Sequence, residues 1–154
     1  MDLYDEFKAL IERLNDRELD YALCGGLAMA VHSAPRATMD IDLLIRPEAL
    51  EGVMAVARDL GYTIKAEPMT FADGAVRIQR VSKIDPDSGD VLMLGLMPVT
   101  TALGEAWESR KEVEWEDGRL WVVSREGMIA LKLLRGSPVD LEDVERLKKG
   151  LDEG

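Results

Sequence analysis

Two aspartates separated by one apolar residue are the side chains best suited to chemistry in this sequence. Asp40 and Asp42 lie in the run 39–45, where acidic and apolar residues alternate before the run becomes fully apolar. In a β-strand this alternation places both carboxylates on one face, about 7 Å apart. Like charges so placed repel each other unless a cation compensates them, and Mg²⁺ prefers such oxygen ligands. The pair therefore predicts a site for Mg²⁺ or Mn²⁺, and the apolar flanks disfavour the alternative of a solvated edge strand.

A glycine pair precedes these acids. Gly25 and Gly26 follow the apolar run 21–24 and are followed by the small apolar residues 27–32. The pattern predicts a buried strand, a tight turn and a helix that ends before Pro35. Glycines let the backbone turn sharply and bring N–H groups close to an anion, although most glycine pairs are simply turns. Together with the acid pair, this turn is consistent with a binding site for a nucleoside triphosphate and magnesium.

The remaining chain predicts the frame that holds these residues. Apolar periodicity and capping residues indicate alternating helices and strands, and hence an α/β (α+β) fold with a mixed sheet flanked by helices. We expect one domain over residues 1–154, with the C-terminal helices of 124–150 packed on it. The predicted helices are 2–16, 27–32, 47–60, 99–107, 126–135 and 140–147; the predicted strands are 21–24, 39–45, a strand from 62, 75–84, 90–94, 112–116 and 120–123, with a loop at 67–74.

Composition limits the classes of function. The chain has 154 residues, a net charge of −11 and one cysteine, so a broad nucleic-acid surface and an internal disulfide are both disfavoured. No apolar run approaches the roughly 18 residues that span a bilayer, and no signal peptide is recognisable. We therefore expect a cytoplasmic protein without a membrane partner. RNA remains an expected acceptor only if a basic strip forms from Arg77, Arg80, Lys83, Arg110 and Lys111.

The motif as a whole resembles a known signature. An apolar residue, two glycines, thirteen residues and then Asp-apolar-Asp-apolar is similar to the pattern of the DNA polymerase beta-like nucleotidyltransferase superfamily. Within that superfamily, the chain looks most like small AbiEii-type toxin nucleotidyltransferases. The further residues that carry this resemblance are Arg36-Ala37-Thr38 before the acid pair, Asp90 at the start of a later strand, and the block Lys132, Arg135, Asp140 and Asp143.

The resemblance implies a role for each matching residue. Asp40, Asp42 and Asp90 would bind two metal ions and act with Lys132 in catalysis, because two metals can clamp the attacking and leaving oxygens of an in-line displacement. The third acid, Asp90, could also accept the proton of the incoming hydroxyl. Nucleotide contacts would come from Gly25, Gly26, Arg36, Thr38 and Asp143.

The favoured function is metal-dependent transfer of a nucleoside monophosphate from an NTP to a hydroxyl of RNA, such as a tRNA end, or of a protein. A toxin role, with an antitoxin as partner, follows from the resemblance alone. The alternative is a degenerate member that binds or regulates without turnover, and a missing third carboxylate would favour it. A weaker alternative is a structural α/β domain in which the glycines and acids are coincidental.

Overall fold

The computed structural model describes residues 2–32, 40–116 and 118–153, with side chains as far as 149. Within these residues the fold is a mixed α/β arrangement, in which an eight-stranded sheet is flanked by helices. The predicted fold class is therefore confirmed. The strands are β1 (Ala22–Cys24), β2 (Asp40–Ile45), β3 (Ile64–Lys65), β4 (Met69–Phe71), β5 (Val76–Ile84), β6 (Val91–Pro98), β7 (Lys111–Trp115) and β8 (Gly118–Val122).

Two of the helices begin at clear side-chain caps. Asp2 accepts hydrogen bonds from the backbone N–H groups of Tyr4 and Asp5, and Ser124 accepts one from Gly127. Such side-chain caps satisfy donors that have no partner within the helix. The helices are α1 (Leu3–Asp16), α2 (Gly26–Val31), α3 (Leu50–Asp59), α4 (Gly104–Glu108), α5 (Arg125–Arg135) and α6 (Pro138–Glu153), with short 3-10 segments at Pro47–Ala49, Ala72–Gly74 and Thr101–Leu103.

Strand β2 lies near the middle of the sheet. The strand order is β3-β5-β6-β2-β1-β8-β7, and β4 pairs with the outer side of β5. β2 is antiparallel to β1 and parallel to β6. Ile41, Leu43, Leu44 and Ile45 of β2 are fully buried in the core. This anchoring fixes the position of the two aspartates, which come from the first half of the same strand.

Several boundaries differ from those that the sequence predicts. The expected loop at 67–74 contains β4, because Met69–Phe71 finds a pairing partner in β5. Strand β6 continues to Pro98, four residues past the predicted end, because it pairs with β5 on one side and β2 on the other. The last helix begins at Pro138 and extends to Glu153. Among the described residues, no helix is both long enough and apolar enough to cross a membrane.

Candidate functional site

The site centres on Asp42. Asp40 and Asp42 are both partly buried and share one side of β2, whereas the intervening Ile41 is fully buried on the other side. Across the sheet, Asp42 pairs with Cys24 of β1 and with Gly95 of β6. Its side chain therefore rises from the sheet next to the residue where β1 turns into α2.

Two glycines leave room for this carboxylate. A Cβ atom at Gly25 would lie 2.4 Å from Oδ2 of Asp42, and one at Gly95 would lie 2.5 Å from Oδ1. Gly25 also has a φ of +78°, a backbone conformation that L side chains rarely adopt. The Asp42 carboxylate is thus held between the backbones of two neighbouring strands, and any side chain at either glycine would displace it.

The electrostatic environment favours a bound cation. The pKa of Asp42 is raised to about 6, first because burial disfavours the charged form and next because Asp40 carries the same charge. Arg135, Lys132 and Arg80 act in the opposite direction, with smaller effects. A buried acid beside a second acid is a costly arrangement for the folded protein alone. A divalent ion between them would relieve that cost.

Asp40 and Asp42 line a polar cleft with a volume of about 140 Å³. Strands β2, β5 and β6 form its floor, and the connection from α5 to α6 forms its wall. Its charged groups have both signs, so the cleft suits a ligand that itself combines cations and anions. The lining residues are Asp40, Asp42, Ile78, Arg80, Met93, Gly95, Arg135, Ser137, Val139 and Asp140.

The C-terminal motif forms what we call the α5–α6 charge cluster: Lys132, Arg135, Asp140 and Asp143. Lys132 is only 4% exposed, and its Nζ lies 2.9 Å from Oδ2 of Asp143 and 3.8 Å from Oδ1 of Asp140. Nε of Arg135 lies 3.9 Å from Oδ2 of Asp140, and its guanidinium lies over the ring of Phe71. These pairs fasten the two helices to each other beside the cleft.

Asp140 has a second structural role. The Ser137 N–H donates to Asp140 Oδ2 at 3.2 Å, and the Asp140 N–H donates to Ser137 Oγ at 3.1 Å; the Ser137 hydroxyl also donates to Asp140 Oδ2, at 2.6 Å. This reciprocal pair is a capping box at the start of α6. It explains why the helix begins at Pro138 rather than at 140.

Lys132 and Asp143 therefore lie close to the site but form an ion pair with each other. Lys132 lines a narrow cavity together with Gly25 and Asp42, so its charge lies next to the acid pair. Asp143 is 1% exposed. The catalytic role of Lys132 and the nucleotide contact of Asp143 stay predictions, and the ion pair is what the structure adds.

Asp90 does not join the acid pair, contrary to the predicted triad. It is exposed in the turn between β5 and β6, where its N–H donates to Ser88 Oγ and its carbonyl accepts from Asp85. The parallel register places Met93 opposite Asp40, so Asp90 is three residues, or about 10 Å, away along the strand. The prediction that Asp90 is a third metal ligand, beside Asp40 and Asp42, is therefore wrong.

The expected basic strip also does not form. Arg77, Arg80 and Lys83 belong to β5, whereas Lys111 belongs to β7 at the far edge of the sheet, with four strands between them. Lys83 pairs with Glu6 at 2.7 Å, and the Arg110 guanidinium lies 4.1 Å from the centre of the Trp107 ring. These cations are dispersed over separate surfaces, so the condition on which an RNA acceptor was expected is not met.

Other predicted residues have mixed outcomes. Gly25 and Gly26 are at the turn from β1 into α2, as expected. Arg36 and Thr38 lie outside the described residues.

Two residues of the site, Gly95 and Arg80, were not predicted as site residues from the sequence. A glycine within an apolar strand, as at Gly95, can signal a close approach of another group, but nothing local in the sequence assigns Arg80 to the cleft.

The carboxylates of Asp40 and Asp42 are side chains of the kind that bind Mg²⁺. Among residues 2–32, 40–116 and 118–149, no group of three or more His, Cys, Asp and Glu side chains is placed to hold a metal. Mg²⁺ is often bound through one or two carboxylates, with water and substrate phosphates completing its coordination. Asp40 and Asp42 can supply that minimal set.

Comparison with models of protein families shows to which family the chain belongs. A family model described as a nucleotidyltransferase of unknown function (DUF6036) matches residues 1–149. The chain belongs to this nucleotidyltransferase family. A search of curated proteins found no match in sequence.

Solved structures show that the fold is shared with other nucleotidyltransferases. A Thermotoga maritima protein, TM1012, described as a nucleotidyltransferase, has a TM-score of 0.63 at 16% identity and covers 96% of this chain and 91% of its own. The antibiotic-resistance factor ANT(2'')-Ia has a TM-score of 0.64 at 17% identity, covering 96% of this chain and 83% of its own. Its complex with adenylyl-2''-tobramycin has a TM-score of 0.62 at 16% identity, with coverage of 94% and 87%. These similarities establish the nucleotidyltransferase fold.

Replacing Gly95 with alanine is expected to weaken divalent-metal binding about tenfold or more, because the new methyl group would displace the Asp42 carboxylate. Mn²⁺ binding, followed by electron paramagnetic resonance, would measure the change. Gly104→Ala is the matched control, since a Cβ there meets nothing within 4 Å. Equal Mn²⁺ affinity in Gly95→Ala and Gly104→Ala would contradict this account of the site.

Metal affinity is also expected to depend on pH in a defined range. Asp42 must lose its proton to bind a cation, and its pKa is about 6. Mn²⁺ affinity should therefore be nearly constant above about pH 7 and fall toward about tenfold per unit as the pH decreases below about 6. Titrations across this range, with folding checked by circular dichroism, would test it. An affinity that stays constant down to about pH 5 would contradict the raised pKa.

Proposed function

We propose that this protein transfers a nucleoside monophosphate from an NTP to an acceptor hydroxyl, with release of pyrophosphate. One observation carries the proposal: the Asp42 carboxylate lies between Gly25 and Gly95, beside Asp40, at the floor of a polar cleft. In the folded protein alone, the charge of Asp42 is unfavourable because the side chain is buried beside Asp40. The arrangement also requires that Gly25 and Gly95 have no side chain. Such a site makes physical sense if a cation and its phosphate ligands complete it.

In this proposal Asp40 and Asp42 hold a divalent metal, Mg²⁺ or Mn²⁺. The metal, when bound, would neutralise phosphate charge and polarise the phosphoryl group. The Gly25–Gly26 turn would allow the triphosphate to approach the backbone, and Arg36 and Thr38 remain candidate nucleotide contacts. Lys132 would contribute positive charge from behind Asp42 rather than by direct contact, because it is paired with Asp143.

The acceptor class is narrowed by the surface charges. The scattered cations do not support a long RNA surface, so we favour a protein side chain or a small molecule over a tRNA end. ANT(2'')-Ia, whose complex holds adenylyl-2''-tobramycin, provides a precedent within the fold for a small hydroxyl compound. A toxin role, an antitoxin partner and a cytoplasmic location remain hypotheses, as does the organisation of 1–154 as one domain.

A second candidate function is nucleotide binding without turnover. The observation that favours it is the position of Asp90, which leaves Asp40 and Asp42 without the third metal-binding acid that the resemblance implies. Without a third acid, the acceptor hydroxyl lacks an obvious group to take its proton. The protein would then act as a nucleotide-responsive binding or regulatory module.

Incubation with α-labelled NTPs and Mg²⁺ or Mn²⁺ would separate the two candidates. Total RNA, total protein and a set of hydroxylated small molecules would be offered as separate acceptors. Transfer of label that survives in Asp90→Asn supports the enzyme with a two-acid site. Nucleotide binding without transfer to any acceptor supports the module, and the absence of nucleotide binding rejects both.

A further inference from the structure

Arg80 of β5 lines the cleft together with the acid pair. On the adjacent strand β6, the residues paired with Asp40 and Asp42 are Met93 and Gly95, and neither is acidic. The next strand, β5, places Arg80 opposite Gly95. The Cα atoms of Arg80 and Asp42 are thus two strand spacings apart, about 10 Å. Because Gly95 has no side chain, the long arginine can cross β6 toward the carboxylate.

Arg80 acts on Asp42 at longer range but forms no ion pair among the described residues. Lys132 and Arg135 both form ion pairs with acids of the α5–α6 charge cluster. Arg80 forms no ion pair with an acid anywhere in residues 2–32, 40–116 and 118–149. It is partly buried, lines the cleft and lies near enough to Asp42 to lower the pKa of that acid. A partly buried arginine of this kind is suited to a ligand anion.

The chemistry of the Arg80 guanidinium indicates which class of ligand it can bind. It cannot ligate a metal, because it remains protonated, but its planar N–H groups bind phosphate oxygens in a fork. An anion that also carries a metal toward Asp40 and Asp42 satisfies both signs of charge in the cleft. A metal-bound nucleotide has that combination.

We propose that Arg80 binds a phosphate group of the nucleotide directly, and so supplies positive charge to that phosphate from β5. This inference rests on the proposed function and adds a phosphate-binding residue to the same site.

Equilibrium binding of ATP and AMP at saturating Mg²⁺, measured by calorimetry, tests the proposal. Arg80→Gln is expected to weaken ATP binding about 10- to 100-fold, and Arg80→Lys is expected to recover part of it, because lysine keeps the charge without the fork. The loss for AMP relative to ATP tells which phosphate is held. Arg77→Gln, on the exposed side of β5, removes the same charge and should change ATP affinity less than about twofold.

A neutralising role for Arg80 predicts the opposite result. If Arg80 served only to offset the charge of Asp42, Arg80→Gln would leave ATP affinity unchanged and would tighten Mn²⁺ binding in the absence of nucleotide. That outcome overturns the inference while leaving the proposed function intact. Failure of the wild-type protein to bind ATP would overturn both. Melting temperatures of all variants establish that the compared proteins are folded.

Discussion

Asp42→Asn is expected to lower nucleotidyl transfer by about 100- to 1000-fold and to abolish measurable Mn²⁺ binding. The substitution preserves the size of the side chain but removes the charge that lies between Gly25 and Gly95. Asp40 alone would then be left to hold the cation. Mn²⁺ titration and label transfer would measure the two effects. Retention of both would show that the acid pair is not the metal site.

The same variant is expected to be more stable than the wild-type protein near neutral pH. The pKa of Asp42 is raised to about 6, so above that pH the folded protein holds a charge that the unfolded chain accommodates more easily. Removing this charge should stabilise the fold by about 1 to 3 kcal/mol, as urea unfolding without metal would show. The gain should shrink as the pH falls below about 6, where Asp42 becomes protonated in the folded wild-type protein, and should be lost near about pH 4, where the unfolded chain is protonated as well. A less stable variant at neutral pH would contradict the assigned cause of the pKa shift.

Lys132→Met is expected to destabilise the protein by about 3 to 5 kcal/mol, because it leaves buried carboxylates without their cation. Lys132 is 4% exposed and pairs with Asp143 and Asp140. Urea unfolding measures the loss, and Lys65→Met, at an exposed position, is the control for removing a lysine. The partial recovery of stability in a Lys132→Met, Asp143→Asn double variant would identify the pair as the cause.

The opposite result would assign Lys132 to catalysis. If Lys132→Met unfolded at the same urea concentration as the wild-type protein yet lost label transfer, the ion pair would be incidental. The predicted catalytic role would then be the better explanation. The stability measurement therefore separates two roles that an activity assay alone would confuse.

Local patterns account for much of what the sequence could predict. The alternation at Asp40, Ile41 and Asp42 sets which side each residue faces, and this depends only on strand geometry. Capping residues such as Asp2 and Ser124 act within one helical turn, so the starts of α1 and α5 could be predicted closely. The acid pair and the glycine turn were found because they depend on short-range features.

Residues that meet only through strand register were missed. Gly95 and Arg80 reach the site because β6 pairs with β2, and β5 pairs with β6, at one particular offset. Asp90 was misplaced for the same reason: in the parallel register Met93, three residues after Asp90, lies opposite Asp40 at the start of β2. A shift of a few residues in that register would have changed which side chain lies beside Asp42, and nothing local in the sequence determines it.

The glycines on both sides of Asp42 have a consequence for how related chains are classified. A check of a related sequence for the two carboxylates alone would miss a methyl group on either neighbouring strand, which would displace Asp42 with every acid intact. A related chain could therefore lose its function through a substitution at a position, such as Gly25 or Gly95, that is not itself a catalytic residue. Judging whether a relative is a working transferase requires inspecting the empty positions beside the acids as carefully as the acids themselves.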